Sequence, residues 1–299
     1  MTAVTASDAR RAFVLNGTPE AAALQAASRR PVLARVALWA SVAFLALLGV
    51  AWVAPDVLAP YDPLAVDLRA ILALPSPAHP LGTDDAGRDV LSRLIHGAGA
   101  SLSIGFGATV IGAIGGCMFG IVAGLGPRWL DAVIMRAVDC LVAVPDILLA
   151  LIVISIAGGG TFNALVAVGI ASIPSYARII RAQAHQVKVA PYIEAARTLG
   201  LSGLDVAARH VFPNAFRPLI PVIALRVGGA IGAGAGLSFL GLGAQPPQAE
   251  WGAMISAGRN FLVNDPYLVL WPALAVTVTV LAIGVVAREI KQRLEGRAD

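Results

Sequence analysis

Long apolar runs separated by polar stretches dominate the chain, and run length is its first physical message. Crossing ~30 Å of hydrocarbon at ~1.5 Å per residue takes about 20 mostly apolar residues in a helix. Six stretches answer to that length: 36–54, 101–125, 140–157, 162–180, 219–242 and 267–287, the third reaching back toward Leu130. The pattern predicts an all-α integral membrane protein. A polar tail, 1–35, precedes a six-helix transmembrane domain, 36–287, and a second tail, 288–299, completes the chain. Small residues recur every fourth position at Ala108, Gly112, Gly116, Gly120 and Gly124 in the second span, and at Gly228, Gly232 and Gly236 in the fifth. Lipid supplies no hydrophobic drive between helices, so such stripes let backbones approach and associate by contact. They predict tight packing of these two helices.

Three polar segments are long: 55–97, 181–216 and 243–266. The first carries Pro55, Pro60, Pro63, Pro75, Pro77 and Pro80 and predicts an extended, rigid excursion. An even number of spans puts both termini on one side, and Lys and Arg decide which, because loops rich in them stay cytoplasmic. Of the 22 basic residues, 17 fall in the two tails, around the 2/3 connection and in or beside the 4/5 loop, from Arg178 and Arg181 to Arg217. Arg69, Arg88, Arg93 and Arg259 lie on the other side, and Arg226 lies within a span. Both termini and the segment 181–216 are therefore expected in the cytoplasm, with loops 55–97 and 243–266 outside.

Composition agrees. Over 299 residues, 58% apolar and 13% charged content exclude a water-surrounded globule. The net charge of +4 is spread out, which argues against nucleic-acid binding. Cys117 and Cys140 lie in apolar stretches with no CxxC, so neither a disulfide framework nor a zinc site is expected. The first apolar run starts too late for a typical cleavable signal peptide. Catalytic motifs are missing too: GxxxxGK[ST], HExxH and GxSxG do not occur, and His79, His96, His185 and His210 are scattered.

Segment 181–216 has internal design. Pro191 suits a first helical position, Glu194 sits in the first turn where the helix dipole favours an anion, and Gly200 can end the helix. Ser202 and Asp205 then have capping-box spacing for a second helix running through Arg209 and His210, and Pro213 halts the chain beyond it. The outcome is a helix, a glycine corner and another helix, with Tyr192, Ile193, Leu199, Leu201 and Leu204 around the corner. Such an apolar corner suits either a protein partner or the lipid surface.

Charges at membrane depth cost at least ~2.5 kcal/mol unpaired, so they point to pairs or wet cavities. Asp146 and Arg226 fall at similar depths from the cytoplasmic end and can meet. A structural pair is the plainer reading and substrate contact the sharper one. Asp139, with Arg136, lies nearer the interface as local support. Outside, Asp84, Asp85 and Asp89 lack the spacing of an EF-hand loop, and a capped helix starting near Asp89 accounts for them more simply.

Residues 194–213 read Glu-Ala-Ala, three residues, Gly200, nine residues, then His210-Val-Phe212-Pro213. This resembles the EAA loop of binding-protein-dependent ABC importer permeases, with His210 and Phe212 standing where Ile and Leu are usual. Two further segments, His79-Pro-Leu-Gly82-Thr-Asp-Asp-Ala-Gly87-Arg-Asp89-Val-Leu-Ser-Arg93 and Leu237-Ser-Phe-Leu-Gly-Leu-Gly243-Ala-Gln-Pro-Pro247 before Trp251-Gly252, are similar to the C-type subunit of dipeptide, oligopeptide and nickel permeases. The resemblance covers about 35–295.

The resemblance implies a type I importer fold in the bacterial inner membrane. It also implies a homologous B-type permease chain, two ATP-binding subunits and an extracytoplasmic substrate-binding protein as partners. ATP and magnesium would be held by those ATP-binding subunits, with no cofactor in this chain, which would be a transport component and not itself an enzyme. Glu194, Ala195, Ala196, Arg197, Leu199, Gly200 and Leu201 carry over as the coupling helix and its corner. Asp84, Asp85, Arg88, Asp89 and Trp251 are expected to face the binding protein. Di- or oligopeptides are the implied substrates, with nickel or glutathione as alternatives. An ion-coupled secondary transporter is the rival from another class, and it would show discontinuous helices with ion ligands.

Overall fold

The computed structural model describes residues 19–294 apart from 199, 200, 207, 208, 210 and 217. Among these there is no strand. Five helices are long and apolar enough to cross a membrane: α1 (Pro19–Val53), α2 (Val90–Leu125), α5 (Thr161–Lys188), α9 (Leu219–Phe239) and α11 (Tyr267–Leu294). Between α2 and α5 stands a bent pair, α3 (Arg128–Val142) and α4 (Asp146–Ala157), which makes a sixth span if counted as one. The order of the helices puts 55–89 and 243–266 at one end of the bundle and 189–216 at the other, as the six-span pattern requires.

The structure corrects the third span. It is not one helix over 140–157, because α3 and α4 meet at 93°. Pro145 lacks an N–H and disfavours helical backbone in the residue before it, so α3 ends at Val142 and α4 begins anew after Pro145. Twelve residues of α4 reach only about 18 Å, short of the bilayer core. Other boundaries shift as well. Helix α1 begins inside the expected tail at Pro19, α11 runs through the second tail to Leu294, and α2 takes over the last part of the outer segment from Val90. The segment 243–266 holds an unforeseen helix, α10 (Trp251–Gly258).

The glycine stripe of α2 is a packing face, but its main partner is α5 and not the fifth span. A Cβ placed on Gly116 would lie 2.2 Å from Tyr176 Cβ, and one on Gly112 would lie 2.0 Å from Ser172 Oγ. Further along, Gly120 meets the Ala177 carbonyl at 2.6 Å and Gly124 meets Ala184 Cβ at 2.7 Å. Helix α2 touches α9 elsewhere, through Gly105 against Ile231 and Gly234 against Ile104. The predicted stripe at Gly228, Gly232 and Gly236 is not that contact. A Cβ at Gly232 meets nothing within 4 Å, and those at Gly228 and Gly236 come no closer than 3.4 and 3.5 Å to Val280 and Ile147. Periodicity marks a face without naming its partner.

Glu250 pins α10 onto this frame. It is 0% exposed. Its carboxyl group accepts from the backbone N–H groups of Gly252 (3.0 Å) and Ala253 (2.9 Å), capping α10, and from Ser101 Oγ of α2 (2.8 Å). Ser101 Oγ in turn accepts from the Trp251 N–H at 3.2 Å. The first three N–H groups of α10 are thereby joined to α2 through a single carboxyl–hydroxyl pair.

Thermal unfolding of the purified chain in detergent checks both features. Gly116→Val is expected to lose about 1–3 kcal/mol by overpacking, whereas Gly228→Ala, with ordinary contact distances, should change stability by less than about 1 kcal/mol. Glu250→Ala leaves two backbone N–H groups and a serine hydroxyl without their acceptor and should cost about 1–3 kcal/mol, with Glu250→Gln losing less.

Candidate functional site

At the end of the bundle holding 189–216, three short helices come after α5: α6 (Pro191–Thr198), α7 (Gly203–Val206) and α8 (Phe212–Phe216). Helix α6 starts at Pro191, whose missing N–H is harmless in a first turn. Past its other end the Leu201 N–H reaches back to the Ala196 carbonyl at 3.2 Å. Leu199 and Gly200, placed at this corner by the sequence, lie outside the described residues. The capping pair is present: the Asp205 N–H donates to Ser202 Oγ at 3.1 Å, and Ser202 Oγ donates to Asp205 Oδ2 at 2.6 Å. Helix α7 ends at Val206, and His210 lies outside the described residues. Pro213 does not halt the chain as expected; it sits in the first turn of α8, where proline is tolerated.

The corner is anchored from within. Ile193 (0% exposed), Ala196 (7%), Val206 and Val211 form a cluster with Ala184 of α5, and Leu125 of α2, Val187 and Leu201 pack against it. Ala196 and Leu201 thus face this chain's own core. Tyr192, Val189 and Glu194 remain exposed. Ala195 and Arg197 belong to the α6 backbone, with side chains outside the described part of the structure. One face of α6 fixes it to the ends of α2 and α5, and the other is open.

Next to the bend, Asp146 occupies the first turn of α4 and not the sixth position of a longer helix. Arg226 lies on α9, and its Nη1 comes within 3.9 Å of Asp146 Oδ2. The two charges do meet, and both line a cavity of about 140 Å³ bounded by α2, α4, α5 and α9. Asp139, expected as local support, accepts from Arg178 of α5 at 2.7 Å. Asp131 receives Arg181 bidentately at 2.5 and 2.6 Å, with His185 Nε2 at 3.8 Å. Sequence reading missed this α3–α5 network by treating Arg178 and Arg181 as loop charges. Two acids spaced two helical turns apart, matched by cations one turn apart at 178, 181 and 185, were the available signal.

At the opposite end most of the expected receptor-facing residues are internal. Asp89 is 3% exposed; it caps α2 by accepting from the Ser92 N–H (2.8 Å) and holds His79 Nδ1 at 3.0 Å. The expected cap is therefore real. Asp84 accepts from the backbone N–H groups of Ala86 and Arg88 at 2.9 Å each and from Arg88 Nε at 2.7 Å. Buried Arg93, close to Asp84 at 3.3 Å, donates to the Pro63 carbonyl at 3.0 Å and so ties the proline-rich segment to α2. Gly87 holds φ +74°, and a Cβ there would lie 1.9 Å from the Asp67 carbonyl oxygen. Trp251 is 1% exposed and donates to the Leu94 carbonyl at 2.9 Å. Asp89 and Trp251 are thus corrected from surface to scaffold, and of this group Asp85, half-exposed, is the most open.

Comparison with known proteins agrees with this architecture. The family described as "Binding-protein-dependent transport system inner membrane component" matches residues 116–299. A glutathione transport system permease protein, GsiD, of Pectobacterium atrosepticum is 39% identical over 268 residues, 89% of each chain. The probable D,D-dipeptide transport system permease protein DdpC of Escherichia coli K12 is 38% identical over 81% of each chain. The dipeptide transport system permease protein DppC of Alkalihalophilus pseudofirmus is 37% identical over 74% of this chain and 73% of its own. In fold, the chain resembles a subunit of the inward-facing MetNI methionine ABC transporter, with a TM-score of 0.57, 17% identity, and 68% of this chain and 96% of that one covered. An amino acid ABC transporter structure gives a TM-score of 0.55 at 18% identity, covering 67% and 94%. The chain belongs to the binding-protein-dependent transport system inner membrane components, as a multi-pass permease subunit of an ABC importer.

Proposed function

We propose that the chain carries di- or oligopeptides inward, in a complex with a homologous B-type permease chain, two ATP-binding subunits and an extracytoplasmic binding protein. ATP and magnesium are held by the ATP-binding subunits. Relatives named for dipeptide transport over most of their length support the peptide reading. The glutathione permease, at 39% identity, favours glutathione as the second reading, and glutathione is itself a short peptide.

Coupling runs through 181–216, with both termini on the same, cytoplasmic side, in keeping with the basic residues concentrated there. The observation that carries this reading is the division of α6 into a buried face, Ile193 and Ala196, and an open one, Tyr192 and Glu194. A partner that moves the open face moves the ends of α2 and α5 with it, which a mobile loop would not do. Arg197 and Gly200 complete the coupling element by sequence position.

In proteoliposomes holding the whole complex, dipeptide uptake should require ATP. Glu194→Ala should lower it about tenfold, and Gly200→Leu should abolish it while the permease still inserts in the membrane. Uptake driven by an ion gradient, with the isolated chain and no ATP-binding subunit, would overturn the proposal in favour of a secondary transporter.

A further inference from the structure

Tyr176 is 1% exposed, yet its hydroxyl has no hydrogen-bond partner among the described residues. A buried hydroxyl left unsatisfied costs about 1–3 kcal/mol, so packing alone does not explain why this position holds tyrosine and not phenylalanine. Tyr176 lines the cavity that Asp146 and Arg226 share. Thr109 and Ser172 nearby donate to the Gly105 and Gly169 carbonyls, each at 2.8 Å, and Thr109 Oγ1 lies near the Tyr176 hydroxyl without closing a well-formed hydrogen bond to it.

The charge pair is incomplete in the same place. Arg226 stands over the Tyr176 ring, 5.6 Å from its centroid, and its Nη1 stops 3.9 Å from Asp146, beyond hydrogen-bond reach. An ion pair serving structure in this chain looks different: Arg181 closes on Asp131 with two bonds of 2.5 and 2.6 Å. The Arg226 and Asp146 side chains keep 36% and 58% of their surface open. About 140 Å³ of cavity beside them has room for several waters, and much of the remaining wall is small residues such as Ala171, Gly229 and Ala230. A carboxylate and a guanidinium thus meet at one cavity inside an apolar bundle, with Tyr176 in its wall, and ionisable groups at membrane depth mark a pathway by default.

We propose that this cleft is a binding site for the termini of a short peptide in transit. The ammonium group sits on Asp146, and the carboxylate sits on Arg226 and accepts the Tyr176 hydroxyl. The length of the Arg226 side chain lets it swing from Asp146 to admit the ligand between them. Small side chains, with Val168, Thr109 and Ser172 among them, make up the rest of the wall and offer no second charge, so the site recognises the peptide's two charged ends. This inference rests on the peptide reading above and adds where the peptide pauses.

The test is equilibrium binding of radiolabelled L-alanyl-L-alanine to the complete complex without its binding protein, in lipid nanodiscs, alongside ATP-dependent uptake of the same dipeptide in proteoliposomes. Wild-type complex should bind it. Tyr176→Phe should weaken binding at least threefold, and Asp146→Asn or Arg226→Gln at least tenfold, with co-purification of all subunits and the unfolding temperature retained. Arg226→Lys should recover part of the Arg226→Gln loss. Wild-type uptake with no detectable binding, or binding unmoved by any of these substitutions, overturns the site and leaves the peptide reading intact. If Asp146→Asn and Arg226→Gln only disrupt assembly, Tyr176→Phe decides: unchanged binding in that variant makes the pair structural. Absence of dialanine uptake by the wild type removes the peptide reading and this site with it.

Discussion

Close approach of two backbones is the constraint on which the molecule rests. In lipid a helix gains nothing by hiding apolar side chains from its surroundings, so association depends on contact at short range and on polar groups satisfied internally. The seam between α2 and α5 meets the first demand with glycine on one side and Ser172, Tyr176, Ala177 and Ala184 on the other. Each of four successive turns of α2 offers bare backbone to α5, and any side chain there would force the helices apart. Other elements attach to this pair: α9 through Gly105 and Gly234, α3 through the Asp131–Arg181 and Asp139–Arg178 bonds, and α6 through Ile193 and Ala196.

Polar groups obey the second demand at the end of the bundle that holds the proline-rich segment. A segment of turns could not stay ordered on apolar contacts alone, and it is instead tied down by side chains that serve several backbone groups at once. Asp84 holds two backbone N–H groups and an arginine, Asp89 caps α2 and reaches His79, and Arg93 crosses to the Pro63 carbonyl. Glu250 does the same for α10. Asp84 and Asp89, which read as surface charge along the sequence, are therefore internal joints, and the surface open at this end includes Val57, Leu68, Leu74 and Val263 beside the acids Asp56 and Asp85.

How far the sequence could be read depended on whether the signal was local. Five of the six spans, the Asp89 cap, the Ser202–Asp205 pair and the start of α6 at Pro191 rest on signals within a single segment, and each appears in the structure. Pro145 was equally local, but counting apolar residues through it concealed the break between α3 and α4. Partners far apart in the chain were illegible. The glycine stripe of α2 gave a face but not α5, and Arg181 meets Asp131 across 50 positions. Glu250 meets Ser101 across 149, and nothing near either residue announces the other. Ala196 and Leu201 show the same limit, because a motif states which residues matter without stating whether they point toward a neighbour or into their own core. Asp146 and Arg226 were legible for a different reason: charge at membrane depth is costly enough that two such residues at matching depths have few alternatives to meeting.

The corner, the seam and the cleft share one rigid element, and this connects the open face of α6 to the intramembrane charges. Tyr176, Ile180 and Ala184 are spaced four residues apart on α5, so they form one stripe, and each is at most 1% exposed. Ala184 packs under Ile193 and Ala196 of the corner, Ile180 lies against Leu219 at the start of α9, and Tyr176 carries Arg226 over its ring. Displacing α6 without displacing this stripe would open voids beneath Ile193, which close packing resists. Because α2 is fitted against the same stripe through Gly112, Gly116, Gly120 and Gly124, the two helices have to move as a unit. The Asp146–Arg226 cleft lies against this unit: α9 brings Arg226 to it, held to α2 at Gly105 and Gly234, and α4 brings Asp146.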